Sequence, residues 1–345
     1  MKKFFTVILV LLSLVLIFIG VNLGLNKFNK SNFEQLSEND QTLISDLDRL
    51  DKIIKEKPLW INFDIQNKSL VLANGRFKYS YIINPQVEPI GLGVTKINLP
   101  SNYNISVYRM AGVAYNNLQF HIAKGNFNTM NQSIKVYNND IFYIRYDNGL
   151  FDREDDGYII SFIAHEAFHY YMQKNWTLTY KVPEIPISDQ GAQTLATMYT
   201  LNGEMQTNIV ENGSNEALID IVHQYNELYQ SLKNSDPEYA SYFASQELNE
   251  GTAQFIGYSA NLDLERQSIL FPNPTKKGTG YFIGDYSIDI RQAQDPVFYT
   301  RNLPYHTGKL LCLVLDKVGP NDWQAQLNTQ SIESPIFLQD ILASI

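Results

Sequence analysis

The sequence predicts an α+β fold: an apolar N-terminal helix, then a β-rich part, then a mostly helical part. Three observations carry this. Phe4 to Leu25 is an apolar run broken only by Thr6, Ser13, Gly20, Asn22 and Gly24. From Leu59 to about Asn148, short runs rich in β-branched and aromatic residues alternate with Asn, Gly and Pro turns. From Gly157 onward the pattern is mostly helical, with polar breaks at 183–191, 211–215, 233–238 and 271–297. A chain of 345 residues has room for one large two-lobed domain, or two domains, besides the apolar segment.

The apolar run follows Lys2 and Lys3, and its 22 residues, at about 1.5 Å each, suffice to cross a hydrocarbon core of roughly 30 Å. A cleaved signal peptide usually ends in small residues, yet the first alanine is Ala73. No cysteine follows the run, which excludes a lipoprotein anchor. The expectation is therefore an uncleaved signal anchor over residues 1–30, with cleavage near Gly20–Gly24 as the alternative. The paired lysines place the remainder outside the cell, as a single-pass cell-membrane protein.

Residues 31–58, SNFEQLSENDQTLISDLDRLDKIIKEKP, read as one amphipathic helix closed by Pro58. Phe33, Leu47 and Ile54 share one heptad position and Leu36, Leu43 and Leu50 the other, with Asp40 as the exception. Such a stripe over 33–54 serves either a homodimer through a short coiled coil or packing onto its own domain. The β-rich subdomain, 59–150, holds the runs WINFDI, SLVLA, RFKYSYII, NISVYR, LQFHI, SIKVYN and DIFYIRY. They predict a small, mainly antiparallel sheet. The acidic stretch DREDDG, 152–157, complements the N-terminal dipole of the helix that follows. Residues 151–345 form the helical subdomain.

The formal charge of −9, with no basic run longer than a pair such as Lys2-Lys3, excludes nucleic-acid binding as a function class. Twenty-two tyrosines and nineteen phenylalanines exclude a disordered chain. The single cysteine, Cys312, lies in the apolar run KLLCLVLDKV, makes no internal disulfide and reads as a small buried hydrophobe.

Chemistry concentrates in FIAHEAFHYY, 162–171, where two of the five histidines flank a glutamate as His165-Glu166-x-x-His169. Residues four apart share a helix face, so both imidazoles can meet one metal ion while Glu166 reaches the water beside it. A zinc ion acidifies such a water, and Glu166 is then the general base for its attack on a carbonyl. A plain core helix would instead have to bury Glu166 without a partner, at a cost of several kcal/mol. His121, in LQFHI, and His223, in DIVHQYNELY, read as structural.

A catalytic zinc takes a third protein ligand and keeps one position open. With Asn249-Glu250-Gly251-x-Ala253 in ELNEGTAQF, the chain resembles the gluzincin metallopeptidases, most closely the zinc aminopeptidase branch, whose members pair HExxH with NEGxA. The resemblance implies a zincin-like fold, one zinc per chain and Glu250 as third ligand. Asp189 in SDQGAQ and Glu247 are the other carboxylates considered for that place. LPYHTGKLLCLV, 303–314, resembles the branch's Tyr-x-x-Gly segment, which implies Tyr305 as oxyanion donor, with His306 as competitor.

The 80 residues between His169 and Glu250 exceed the family's gap and predict an inserted helical segment. The GxMEN segment that holds a free amino group in the aminopeptidases does not occur, MAGVAYNN at 110–117 being a faint echo, so exopeptidase specificity is not implied. DIFYIRY, read as an edge strand, would offer an extended peptide a place to pair. The expected function is thus a membrane-anchored, extracytoplasmic zinc metallopeptidase acting on a peptide or protein substrate. Its rivals are a non-peptidase zinc hydrolase and a catalytically silent cell-surface binding protein.

Overall fold

The computed structural model describes residues 2–28, 31–65, 67–74, 78–122, 125–145, 159–176, 182–183, 186–264, 282–287 and 298–345. The acidic stretch 152–157 and most of the polar break 271–297 lie outside them. Helices and one sheet combine in a mixed α+β fold, and the chain divides into two units. Among the described residues the first unit takes the chain to Pro58 and from Asp64 to Ile163. The second takes Leu59–Phe63 and everything from Ala164.

In the first unit, the apolar run forms helix α1, Lys2–Phe28, long and apolar enough to cross a membrane, a test that a signal sequence also passes. The next helix, α2, is shorter than its sequence suggests. It runs Glu38–Glu56, because the Ser37 hydroxyl accepts from the Asp40 N–H as an N-cap and leaves 33–35 as a separate 3₁₀ turn. Leu36, Leu43, Leu47, Leu50 and Ile54 are all buried within their own chain. Leu47, Leu50 and Ile54 line a small cavity with Leu70, Ile83 and Ile105 of the sheet region. The stripe is therefore already covered by its own unit. Asp40, the break in the stripe, is buried too, since the Ser37, Tyr79 and Tyr81 hydroxyls donate to its carboxylate at 2.7, 2.8 and 3.1 Å.

Among the described residues six strands follow: β1 Ser69–Ala73, β2 Ser80–Ile83, β3 Val94–Lys96, β4 Val107–Met110, β5 Ile134–Val136 and β6 Asn139–Arg145. Their order is β3-β4-β2-β1-β6-β5. Every pairing is antiparallel except β1 with β6, where Ser69 lies opposite Ile141. Three expectations need correction. DIFYIRY is no edge, because β6 is paired on both sides and the edges are β3 and β5. LQFHI is no strand: it belongs to helix α3, Tyr115–Ile122, which buries Asn117 and Phe120 three residues apart, with Phe120 against Tyr143 at 5.1 Å. WINFDI is no strand either. It turns at Ile61–Asn62 and sends Trp60 into the second unit's core.

The second unit takes α4 (Ile159–Tyr171) from Ala164 onward. The inserted segment expected between His169 and Glu250 is helical: α5 Asp189–Val210, α6 Asn215–Ser235 and α7 Pro237–Gln246. A π-helical turn, Glu247–Gly251, leads into α8, Thr252–Asp263. Then α9, Leu303–Val318, buries Leu310, Leu311, Cys312, Val314 and Leu315, before the short α10 (Trp323–Asn328) and α11 (Leu338–Leu342). Cys312 is fully buried, and burial pushes its thiol well above the usual range, as suits an inert hydrophobe.

Candidate metal centre

Within the second unit, α4 packs through Ala164, Ala167 and Phe168, all without solvent exposure. Phe168 meets Trp60 and Phe63 edge-on at 5.1 and 5.3 Å. With those positions committed to the core, His165, Glu166 and His169 are left to the remaining face. The two Nε2 atoms lie 3.1 Å apart. Glu250 Oε2 completes a triangle, 3.7 Å from His165 Nε2 and 3.3 Å from His169 Nε2. These three residues form a group that could hold a metal ion.

The π turn is what aims Glu250. One wider turn shifts the phase of the side chains relative to an α-helix, and such turns recur at functional sites. Its end is pinned by a glycine pair. A Cβ on Gly251 would stand 2.4 Å from Gly308 Cα, and one on Gly308 would stand 2.3 Å from the Glu247 carbonyl oxygen. Only glycines let the backbone of α9 approach the π turn so closely. The same contact brings Tyr305, in the first turn of α9, to the metal group: its ring lies parallel to His165 with centroids 5.7 Å apart, and its hydroxyl hydrogen-bonds Glu250.

Electrostatics follow from burial and from this triangle. Burial tends to raise Glu250, but hydrogen bonds and charges from the two histidines outweigh it and hold its carboxyl well below the usual range. Burial lowers His165. For His169 the charge and hydrogen bond of Glu250 overcome burial and raise it. Burial pushes Glu166 up to about 7, partly opposed by His169. The Tyr305 hydroxyl is raised by burial first and then by Glu250, so it stays protonated and able to donate.

The other candidates stand apart. Asp189 is exposed at the start of α5, and His223 is exposed on α6. Glu247 is buried away from the histidines, hydrogen-bonded by Gln339 of α11, and burial pushes it up to about 7. His306, next to Tyr305, is buried, and burial followed by the charge of Lys309 lowers it to about 3.

Two orienting residues escaped the sequence reading. Gln254, one turn beyond Glu250, hydrogen-bonds His165. Gln173, one turn beyond His169, is buried and does more. Its Nε2 donates to the Asn249 carbonyl at 2.8 Å and to Thr252 Oγ1 at 2.7 Å, while that hydroxyl donates to the Leu248 carbonyl. With the amide thus oriented, Gln173 Oε1 faces His169 Nδ1 at 2.5 Å and can only accept. His169 Nδ1 therefore carries a proton, which leaves Nε2, the nitrogen facing Glu250, as the one that would lend its lone pair to a metal. The amide spacing of i, i+4 from His169 was the signal available beforehand.

Gln173→Met, which keeps the volume and removes the amide, should weaken divalent-ion affinity roughly 10- to 100-fold, the scale of losing an orienting partner. In the metal-free chain, at a pH high enough to leave His169 neutral, nitrogen-15 spectra should show it passing from one tautomer to a mixture. An unaltered tautomer and affinity would reduce Gln173 to a packing residue.

No protein-family model, curated protein or solved structure matches the chain.

Proposed function

We propose that the chain is a membrane-anchored zinc metallopeptidase whose catalytic part lies outside the cell. The observation that carries the metal reading is the triangle of His165, His169 and Glu250, with edges of 3.1, 3.3 and 3.7 Å. Ligand bonds of roughly 2.0–2.1 Å in a tetrahedron subtend edges of about 3.4 Å, so the three donors already have the spacing a zinc ion takes. Two imidazoles and one carboxylate, with the fourth place open, are also a catalytic donor set for zinc rather than a closed structural one. When bound, the ion supplies a Lewis acid and an acidified water.

The chain's own residues divide the remaining work. Glu166, next to a ligand and outside the triangle, accepts a proton from the attacking water and can return it to the leaving amine. The protonated Tyr305 hydroxyl donates where negative charge grows on the carbonyl oxygen. Gln173 and Gln254 hold the imidazoles, and the Gly251–Gly308 contact holds Glu250 and Tyr305 in one register. Peptide as substrate rests on the resemblance of HExxH, NEGxA and Tyr-x-x-Gly to the gluzincins.

The test is digestion of a peptide mixture by the purified full-length chain. Cleavage is expected, is lost on chelation, and returns with one equivalent of zinc. Ester hydrolysis without peptide cleavage would select the non-peptidase hydrolase. Tight zinc binding with neither activity would select the silent binding protein.

A further inference from the structure

We propose that the loop Pro89–Gly93 dips Ile90 and Leu92 into the outer boundary of the bilayer crossed by α1, so that the first unit is seated on the membrane. The proposal rests on the membrane-anchored reading above. Ile90 and Leu92 are 81 and 88 % exposed, among the described residues the two most exposed large apolar side chains in the sheet region apart from Ile122 at 83 %. Pro89 between them and the sheet is buried, so the loop is fixed at its root and presents its apolar tip outward.

What identifies lipid as the occupant is the position of the loop's end, Gly93, beside the last turns of α1, while Gly91 in its middle lies near Tyr137. Gly93 has φ +85°, and a Cβ there would meet Leu23 Cδ2 at 2.9 Å and Ala114 Cβ at 3.2 Å. The loop end and Leu23 of α1 are thus in direct contact. Three residues on, Asn26 is buried and its Nδ2 donates to the Gly93 carbonyl at 3.2 Å, to Thr95 Oγ1 at 3.4 Å and to the Arg109 carbonyl at 3.3 Å. In return Arg109 Nε donates to Asn26 Oδ1 at 2.8 Å and Nη2 to the Asn26 carbonyl at 2.5 Å.

A guanidinium only 1 % exposed needs those acceptors, so α1 is docked on the β3–β4 edge and is no loose tether. Lys27 is exposed and marks the aqueous side of the span. Leu23 lies four residues earlier, about 6 Å deeper along the helix axis. Gly93, against Leu23, therefore falls near the headgroup–acyl boundary, and Leu92 and Ile90, one and three residues before it, are within reach of that boundary, where apolar groups on a folded surface gain most from leaving water.

The experiment uses the full-length chain in phospholipid bilayers, with Ile90→Cys, Leu92→Cys and, as reference, Lys135→Cys, each carrying an environment-sensitive fluorophore. Cys312 is fully buried and does not compete for label. Lys135 is exposed on β5, the edge strand at the other end of the sheet order from β3. Probes at 90 and 92 should be several-fold less accessible to aqueous iodide than the probe at 135, and strongly quenched by lipids carrying a shallow spin label. Iodide access equal to that at 135 would overturn the proposal. So would probes shielded from iodide yet untouched by the spin-labelled lipids, which would show a second protein chain on the loop. Recovery of a chain whose intact mass lacks α1 would instead remove the membrane-anchored reading itself.

Discussion

Glu250→Ala is expected to abolish stoichiometric zinc binding and, with it, all turnover, while Asp189→Ala leaves both intact. The alanine removes the only anionic corner of the triangle around His165 and His169, and water cannot replace a charged ligand. The loss should exceed the roughly 10- to 100-fold that a missing orienting partner costs. It should therefore exceed the effect of Gln173→Met. Glu247→Gln makes the contrast sharper. That side chain is buried against Gln339 and pushed up to about 7, so a neutral amide of the same shape should keep the metal and most of the fold. Metal content of each variant, measured after dialysis against a chelator of known affinity, decides the matter. A zinc-loaded Glu250→Ala chain, or a metal-free Asp189→Ala chain, would reassign the third ligand.

Glu166→Gln should do the reverse: zinc stays, and kcat falls by roughly 10²- to 10⁴-fold, the range for deleting a general acid–base group. KM should change little, because the amide keeps the shape of the side chain. Burial pushes the carboxyl up to about 7 in the metal-free chain, and a cation beside it pulls it down. A base works deprotonated, so kcat/KM in the native enzyme should rise with pH through a value below 7 and then level. The glutamine variant should lose that acid limb. Near-native hydrolysis by Glu166→Gln would remove the proposed proton path even with the metal site intact.

Much of the helix that carries the candidate metal centre is legible in ten residues. His165, Glu166 and His169 need only one turn of helix to converge, and the apolar Ile163, Ala164 and Phe168 state which face goes inward. The carboxylate that joins them is a different matter. Eighty residues separate Glu250 from His169, and only its resemblance to a family motif distinguished it from Glu247 and Asp189. The π turn that separates Glu250 from Glu247 in space leaves no mark in ELNEG that periodicity can detect. Gln173 was visible as a position one turn past His169. Its acceptors, the Asn249 carbonyl and Thr252, were not.

The fold divides in the same way. The apolar helix α1, the buried stripe of α2, the strands SLVLA and DIFYIR and the buried Cys312 follow from local pattern, since each segment is long enough or regular enough to declare its dry face. LQFHI misled because five residues with apolar ends fit a strand or a helix equally well, and Phe120 chose by packing on Tyr143. WINFDI misled because Trp60 belongs to the core around Phe168 and Trp323, not to a strand. DIFYIRY was a strand as expected, but no strand encodes its neighbours, and β5 covers the edge it was expected to offer. Sequence alone determined which faces avoid water and which residues can meet within one turn. The tertiary structure alone decided which distant segment covers each face, through contacts such as Gly251 on Gly308 and Asn26 on Arg109, because such pairings are set by shape and by the pairing of buried polar groups, neither of which has a period along the chain.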